Sequence, residues 1–471
     1  MTHSLNHPDR FFPPDEKVRT LARALYAGVR DLPIVSPHGH TDPQWFADNE
    51  RFPDPASLLV VPDHYVLRML VSQGILLEEL GVKPLQASTS KFDAEAIWQR
   101  FADNYYLFAG TPTRLWLDHT FESLFELNEP LGPSTAASYF KQISDCLARE
   151  DFRPRALFER FDIEVLATTE SAVDDLRHHS AIADSGWTGR VVTTYRPDTV
   201  ADPEHPAFRR DLATLGEITG CDVASWKGYL EAHRVRRALF RSSGATATDH
   251  GFPSARTADL SPAACEALYD KVLAGESSAG EIELFRGQFL TEMAKMSVED
   301  GMVMQIHPGS HRNHSDAVLA RFGRDKGFDI PRRTDYVEAL KPLLNAVGMD
   351  PRLTLIVFTL DETAYSRELA PLAGVYPALK LGPAWWFFDS PDGMRRYREL
   401  TTETAGFYNT VGFNDDTRAF PSIPARHDMA RRVDCAFLAE RVADHRLRED
   451  EAHGIAHDLA YGLAKKAYRF C

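Results

Sequence analysis

Ile34-Val35-Ser36-Pro37-His38-Gly39-His40-Thr41-Asp42-Pro43 is the stretch from which the rest of the chain can be read. A short apolar run of strand character ends in two histidines one residue apart, and proline and polar residues then stop the element. Side chains two apart on an extended segment point to the same side. His38 and His40 therefore offer two imidazole nitrogens to one metal ion, with Gly39 leaving room between them. The plain alternative is a pair of hydrogen-bonded loop histidines, so a metal site requires at least one further ligand elsewhere in the chain.

On the N-terminal side of this stretch, Val18, Leu21 and Leu25 recur with helical spacing between Asp15 and Gly28, which predicts an amphipathic helix feeding the strand. On the C-terminal side, residues 42–160 read as helical: Leu67-Arg68-Met69-Leu70, Ala94/Ile97/Trp98/Phe101 and Phe121/Leu124/Phe125 recur at helical spacings between Pro and Gly breaks. That span is too long for a strand-to-helix connection, and it is expected to be a helical insertion lying as a lid over the mouth of a single catalytic domain, 1–471. Beyond it, short apolar or β-branched runs alternate with helical spacers: Ile163–Thr168, Arg190–Tyr195, Thr246–Asp249, Met302–His307, Leu353–Thr359, Val375–Leu381 and Val411–Asn414. With the strand before His38 these make eight. The expected fold class is therefore α/β, a (β/α)8 TIM-type barrel with a large helical insertion after the first strand. No glycine-rich nucleotide fingerprint follows the first strand, so no nucleotide cofactor is expected.

The 471 residues are 44% hydrophobic and 26% charged, with a formal net charge of -15, which is an ordinary soluble globular composition with ample material for a large core. An acidic chain without a Lys/Arg-rich run argues against nucleic acid as a partner, and an anionic substrate would have to be met by local arginines. Cys146, Cys221, Cys265, Cys435 and Cys471 are odd in number and scattered, as reduced thiols in the cytoplasm would be. Residues 1–10 carry no apolar signal core, and runs such as Leu353–Leu360 are too short to span a bilayer. The expectation is a cytoplasmic protein with no membrane contact, acting on a small molecule, with room for a homo-oligomer.

In a barrel the residues just past each strand share one face, and catalytic groups gather there. Those positions hold His38 and His40, Thr168-Thr169-Glu170, Tyr195-Arg196-Pro197-Asp198, Asp249-His250, Gln305 and His307, Thr359-Leu360-Asp361, Gly382 before Trp385-Trp386, and Asn414-Asp415-Asp416-Thr417-Arg418. Any one of these could cap a helix or form a turn; so many together point to a site. Asp416 is the natural third metal ligand, although Asp415 competes with it on spacing alone. Two imidazoles and a carboxylate with an open position suit one Zn²⁺, with Mn²⁺ or Fe²⁺ as alternatives. Arg418 follows two residues after Asp416, and Arg426-His427 soon after; the guanidinium fork suits a substrate carboxylate.

Seven blocks of this chain resemble the uronate isomerase (glucuronate isomerase) family, a branch of the amidohydrolase superfamily. They are His38-Gly39-His40; Asp63-His64-Tyr65 with Arg68-Met69-Leu70; 110–119, Gly-Thr-Pro-Thr-Arg-Leu-Trp-Leu-Asp-His; Tyr195-Arg196-Pro197-Asp198; Met304-Gln305-Ile306-His307 with Arg312-Asn313; Trp385-Trp386; and Asp416-Thr417-Arg418. The resemblance implies a barrel that interconverts D-glucuronate with D-fructuronate and D-galacturonate with D-tagaturonate in hexuronate catabolism. It implies His38, His40 and Asp416 as metal ligands, with His64, Tyr65, Asp416 and Arg418 as catalytic groups. Arg196, His307, Arg312, Trp385 and Trp386 are the expected substrate contacts, with Arg426 added on the strength of its guanidinium fork near Asp416. The superfamily's bridging lysine is not evident, which favours one metal.

Two competing readings use the same residues. A metal-bound water would make the site a hydrolase of a sugar lactone or related ester or amide, and such an enzyme would bring further metal-directed groups from middle strands, His250 and His307 being the candidates. A non-catalytic sugar-acid binding protein would keep the barrel and tolerate loss of Asp416.

Overall fold

The computed structural model describes residues 4–86 and 92–470. The first helix spans Glu16–Ala27 (α1), where Asp15 accepts the amides of Lys17 and Val18 as its cap and Leu25 is buried. Ala22 and Leu25 pack on Cys435, Leu438 and Ala439 of the long helix Ile423–Ala443, so this amphipathic stripe is covered by the end of the chain rather than by the strand it feeds.

Seven parallel strands follow in barrel order: β1 (Ile34–Ser36), β2 (Ile163–Ala167, resumed at Glu170–Ser171), β3 (Val191–Val192, resumed at Tyr195–Arg196), β4 (Ala247–His250), β5 (Val303–Ile306), β6 (Leu355–Val357) and β7 (Leu379–Leu381). Each pairs with the next, from Ile34 opposite Ile163 to Leu355 opposite Leu379. The amides of Leu166, Thr168, Glu170 and Ala172 bond to the carbonyls of Arg190, Val192, Thr194 and Arg196, so the ladder between β2 and β3 runs through both interruptions. The strand interiors carry Val35, Val165, Ala167, Val192, Ala247, Val303 and Ile356, packed with Tyr468 and Phe470 from the C-terminal segment.

Two strand expectations are corrected. The strand expected over Val375–Leu381 begins only at Leu379, because the helix Ala370–Ala373 ends at Gly374 and Val375 is exposed. The strand expected at Val411–Asn414 forms no ladder: Thr410 bridges Leu381, and the Val411 amide bonds to the Leu381 carbonyl. The physical reason is Gly412, whose φ of +77° leaves the extended region and whose Cα faces the Leu459 carbonyl so closely that a Cβ would stand 2.8 Å from it. The segment still occupies the eighth position, and the His40 amide donates to the Thr417 carbonyl at 3.0 Å.

Between β1 and β2, among the described residues, lie seven α-helices: α2 (Pro43–Asp48), α3 (Pro55–Leu59), α4 (His64–Val71), α5 (Ala94–Asp103), α6 (Pro112–Ser123), α7 (Ala136–Leu147) and α8 (Pro154–Arg160). Local chemistry starts most of them: Asp42, Asp54, Asp63, Asp93 and Thr111 each accept an amide of the first turn, and proline holds the first position of α2, α3 and α6. Trp98, Phe101, Tyr105, Phe121 and Tyr139 give this segment an apolar core of its own, which reaches the barrel through Ile34, Ile163 and Leu166. Among the described residues no helix is long and apolar enough to cross a membrane.

Candidate active site

The ends of the strands deliver their polar side chains to one pocket, lined by His38, His40, His64, Tyr65, Arg196, Asp249, His307, Arg312, Asp325, Asp329, Trp385, Trp386, Asp416 and Arg418. His38 is buried at its floor. The Nε2 atoms of His38 and His40 lie 3.7 Å and 3.3 Å from Oδ1 of Asp416. Two donors bound about 2.1 Å from one ion at a tetrahedral angle lie about 3.4 Å apart, so the three are spaced as ligands of a single metal. Burial lowers the pKa of both imidazoles, against the opposing pull of Asp249 and Asp416 on His38 and of Asp416 on His40. They stand neutral, with lone pairs available. Asp416 Oδ1 accepts no hydrogen bond among the described residues, while Oδ2 takes the Trp385 indole N–H. An unsatisfied buried carboxylate oxygen facing two neutral imidazoles is a donor set that fits a divalent cation.

The two aspartates differ in backbone geometry. Asp416 has φ +41°, a left-handed conformation that costs a non-glycine residue about 1–3 kcal/mol and is retained here where it turns the carboxylate inward. Asp415 points the other way, 3.1 Å from His427 Nε2, with its carbonyl accepting Arg426 Nη1 at 2.9 Å.

His307 stacks on His38 with ring centroids 4.7 Å apart, and its Nδ1 lies 2.6 Å from Asp249 Oδ1. Arg196 ties this carboxylate in turn, Nη1 being 3.0 Å from Asp249 Oδ2 and Nε 2.8 Å from Asp198. Burial would raise the Asp249 pKa, but Arg196, His307 and His38 hold it well below the ordinary carboxylate value. Arg312 lies over the Trp386 ring, 5.5 Å from its centroid. Burial, reinforced by the nearby charge of Arg196, lowers its pKa. Arg418 stands at the exposed rim.

His64 and Tyr65 enter from the helical insertion. They open α4, where the Asp63 carboxylate accepts the Tyr65 amide at 2.8 Å and so fixes the first turn. Their rings stack, 4.4 Å between centroids, and His64 meets Trp386 edge-on at 5.6 Å. Burial first, then Arg418 and Arg426, press the His64 pKa down to about 3. Its buried Nε2 has no hydrogen-bond partner among the described residues. Burial, against the opposing charge of Arg426, pushes the Tyr65 phenol well above its ordinary value.

The family model of glucuronate isomerase matches residues 16–468. The chain belongs to the glucuronate isomerase family. It is 67% identical over 466 residues to the uronate isomerase of Mesorhizobium japonicum, covering 99% of each chain, and 66% identical over 462 residues to that of Rhizobium meliloti, covering 98% of each. Among solved structures it is similar to the glucuronate isomerase of Caulobacter crescentus, with 59% identity and a TM-score of 0.97 over 99% of this chain and 97% of that one. The uronate isomerase of Thermotoga maritima superposes with a TM-score of 0.90 at 25% identity, over 98% and 99%.

Within this glucuronate isomerase family chain, the pocket gathers His38, His40, His64, Tyr65, Arg196, His307, Arg312, Trp385, Trp386, Asp416 and Arg418 from the residues expected at the site. Arg426 lies outside this lining. Expected to meet a substrate carboxylate, it is instead buried behind the pocket, where Nη1 binds Asp389 at 2.7 Å and the guanidinium lies 3.7 Å from the Trp116 ring centroid. Its hydrogen bonds, to Asp389 and to the Asp415 carbonyl, both come from Nη1, while Nε has no hydrogen-bond partner among the described residues. His250 also stays out, packing toward Phe252 and Phe289, with Nε2 3.1 Å from Thr248 Oγ1. Three lining carboxylates were not singled out as site residues from sequence: Asp249, Asp325 and Asp329. Asp249 carried a signal, its place beside His250 at a strand end. Asp325 and Asp329 lie between the arms of a short antiparallel ribbon, Ser310–His311 with Ile330–Pro331, where no strand periodicity marks them.

Proposed function

We propose that this site isomerises hexuronates, interconverting D-glucuronate with D-fructuronate and D-galacturonate with D-tagaturonate by proton transfer through an enediol. The observation that carries this reading is the pairing, in one pocket, of three metal-ready donors with uncommitted arginines. A hexuronate presents a carbonyl near one end and a carboxylate at the other. His38, His40 and Asp416 suit the first end, holding one divalent ion for which Zn²⁺ is the first choice and Mn²⁺ or Fe²⁺ the alternatives. Bound there, such an ion supplies polarisation of a substrate oxygen. Arg312 and Arg418 suit the carboxylate, since among the described residues neither is taken up by a protein acid, whereas Arg196 is held by Asp198 and Asp249.

Proton transfer needs a base near C2 and an acid for the carbonyl oxygen. The buried phenol of Tyr65 is protonated in the resting site; it donates that proton to the C1 oxygen as the enediol forms and recovers one from the C2 hydroxyl as the C2 carbonyl forms. His64 is a neutral imidazole with a free Nε2, and it takes the proton from C2 and returns it to C1. Asp416 is committed to the metal ligands and to Trp385, which leaves His64 the better shuttle. Trp385, Trp386 and His307 form the walls against which the sugar lies. Residues 42–160 act as the lid of a single catalytic domain, because they bring His64 and Tyr65 to the strand ends.

Incubating the purified protein with glucuronate and galacturonate separately, and following ketose formation by NMR, tests the reading. Turnover of at least one is expected. Hydrolysis of a sugar lactone with no turnover of either uronate would overturn it in favour of a hydrolase.

A further inference from the structure

The eighth strand position carries Asp416 yet lacks the ladder that holds the other seven, so something else must fix it. Three observations identify the support. Gly412 lies against the Leu459 carbonyl and the Ala464 amide of the C-terminal segment, where a Cβ would stand 2.8 Å and 3.4 Å from those atoms. Tyr468, at the end of the helix Leu463–Tyr468, is fully buried among the side chains of the barrel interior, beside Val411 and Val303. Its hydroxyl accepts Asn414 Nδ2 at 2.6 Å and donates to Gln305 Oε1 at 2.7 Å.

That hydroxyl joins the eighth position to β5 across the barrel. Asn414 precedes Asp416 by two residues, and Gln305 precedes His307 by two. Gln305 and His307 lie two apart at the end of an extended strand and share a face, and Asn414 is held just before the turn at Asp416, so the tie lies next to two of the groups that line the pocket. We propose that Tyr468 is a positioning residue for the active site: through Asn414 it sets where Asp416 meets His38 and His40, and through Gln305 where His307 lies. The inference rests on the metal-site reading above, although it touches neither the metal nor the substrate directly. Hydrogen bonds that orient metal ligands from outside the ligand set typically change metal affinity by roughly 10–100-fold when removed.

Tyr468→Phe keeps the ring in the apolar interior and deletes only the hydroxyl. The control is Tyr461→Phe, which removes a phenol from the same segment where it binds Glu164 instead. Metal affinity is measured by competition with a chelator, using Zn²⁺ as the probe, alongside kcat, KM and the melting temperature of the full chain. Tyr468→Phe is expected to weaken Zn²⁺ binding by roughly tenfold and to lower kcat while KM stays within about twofold. Tyr461→Phe is expected to leave Zn²⁺ affinity unchanged. If Tyr468→Phe fails to fold, Asn414→Ala removes the strand-side partner without altering the C-terminal segment, and it must show the same loss of affinity. Unchanged Zn²⁺ affinity in a folded variant, an equal loss in the Tyr461 control, or failure of both Tyr468→Phe and Asn414→Ala to fold would each overturn the proposal. Wild-type protein that binds Zn²⁺ no better than a His38→Ala variant would instead remove the metal-site reading on which the proposal rests.

Discussion

Replacing Glu170 by glutamine should make the protein more stable at alkaline pH and leave it little changed in acid. Glu170 sits at the end of β2, 7% exposed, accepting the Thr193 hydroxyl while its amide binds the Thr194 carbonyl. The nearest histidine, His179, lies 3.7 Å away and is itself kept neutral by burial, its pKa lowered to about 4. Burial raises the Glu170 pKa from 4.5 to about 7, more than the opposing hydrogen bonds from Thr193 and Thr168 lower it. Between those two pH values the folded chain holds a proton that the unfolded chain releases. Stability from this group is therefore present below pH 4.5 and is lost as pH rises through 7. At 1.36 kcal/mol per pH unit the loss amounts to about 3 kcal/mol. Glutamine cannot ionise, so Glu170→Gln should gain on the wild type by up to about 3 kcal/mol between pH 4.5 and pH 8. Melting temperatures of both proteins, recorded at one scan rate across that range, provide the assay. A difference between them that stays constant with pH would refute the reasoning.

Three further outcomes follow from the site. His38→Ala and His40→Ala should each lose bound divalent metal and activity together, and elemental analysis showing full occupancy in both would remove the site from the account. Arg312→Lys and Arg418→Lys should cost roughly 10–100-fold in kcat/KM for the uronate, because an ammonium lacks the bidentate fork; equal turnover of the uncharged parent hexose would show that no carboxylate is recognised. Arg426→Met breaks a buried pair and should lower stability by about 3 kcal/mol, read as a fall in melting temperature, whereas a raised KM at unchanged melting temperature would return Arg426 to the substrate.

Much of this was legible in the sequence because barrel strands announce themselves twice, by apolar character and by the polar residues that end them. His38 and His40 are visible for that reason: alternation places both on one side of a strand. The choice between Asp415 and Asp416 was not, since it depends on the positive φ of Asp416 and on the break at Gly412, and strand alternation carries through neither. The placement of Arg426 was not legible because its contacts with Asp389 and with the Trp116 ring come from parts of the chain that meet only in three dimensions. Asp325 and Asp329 went unseen because the excursion that carries them has neither strand nor helix period at those positions. Tyr468 reads as one more apolar helix residue until the fold places its hydroxyl between Asn414 and Gln305.

The central claim, that His64 moves a proton between C2 and C1 while Tyr65 serves the substrate oxygens, is tested most directly by running the isomerisation in D₂O and examining the product at low conversion by NMR. The account predicts deuterium at C1 of the ketose with the wild-type protein, and a marked fall in rate for His64→Gln and Tyr65→Phe. Complete retention of the original hydrogen, together with unchanged rates in both variants, would contradict it and leave a hydride shift as the better description.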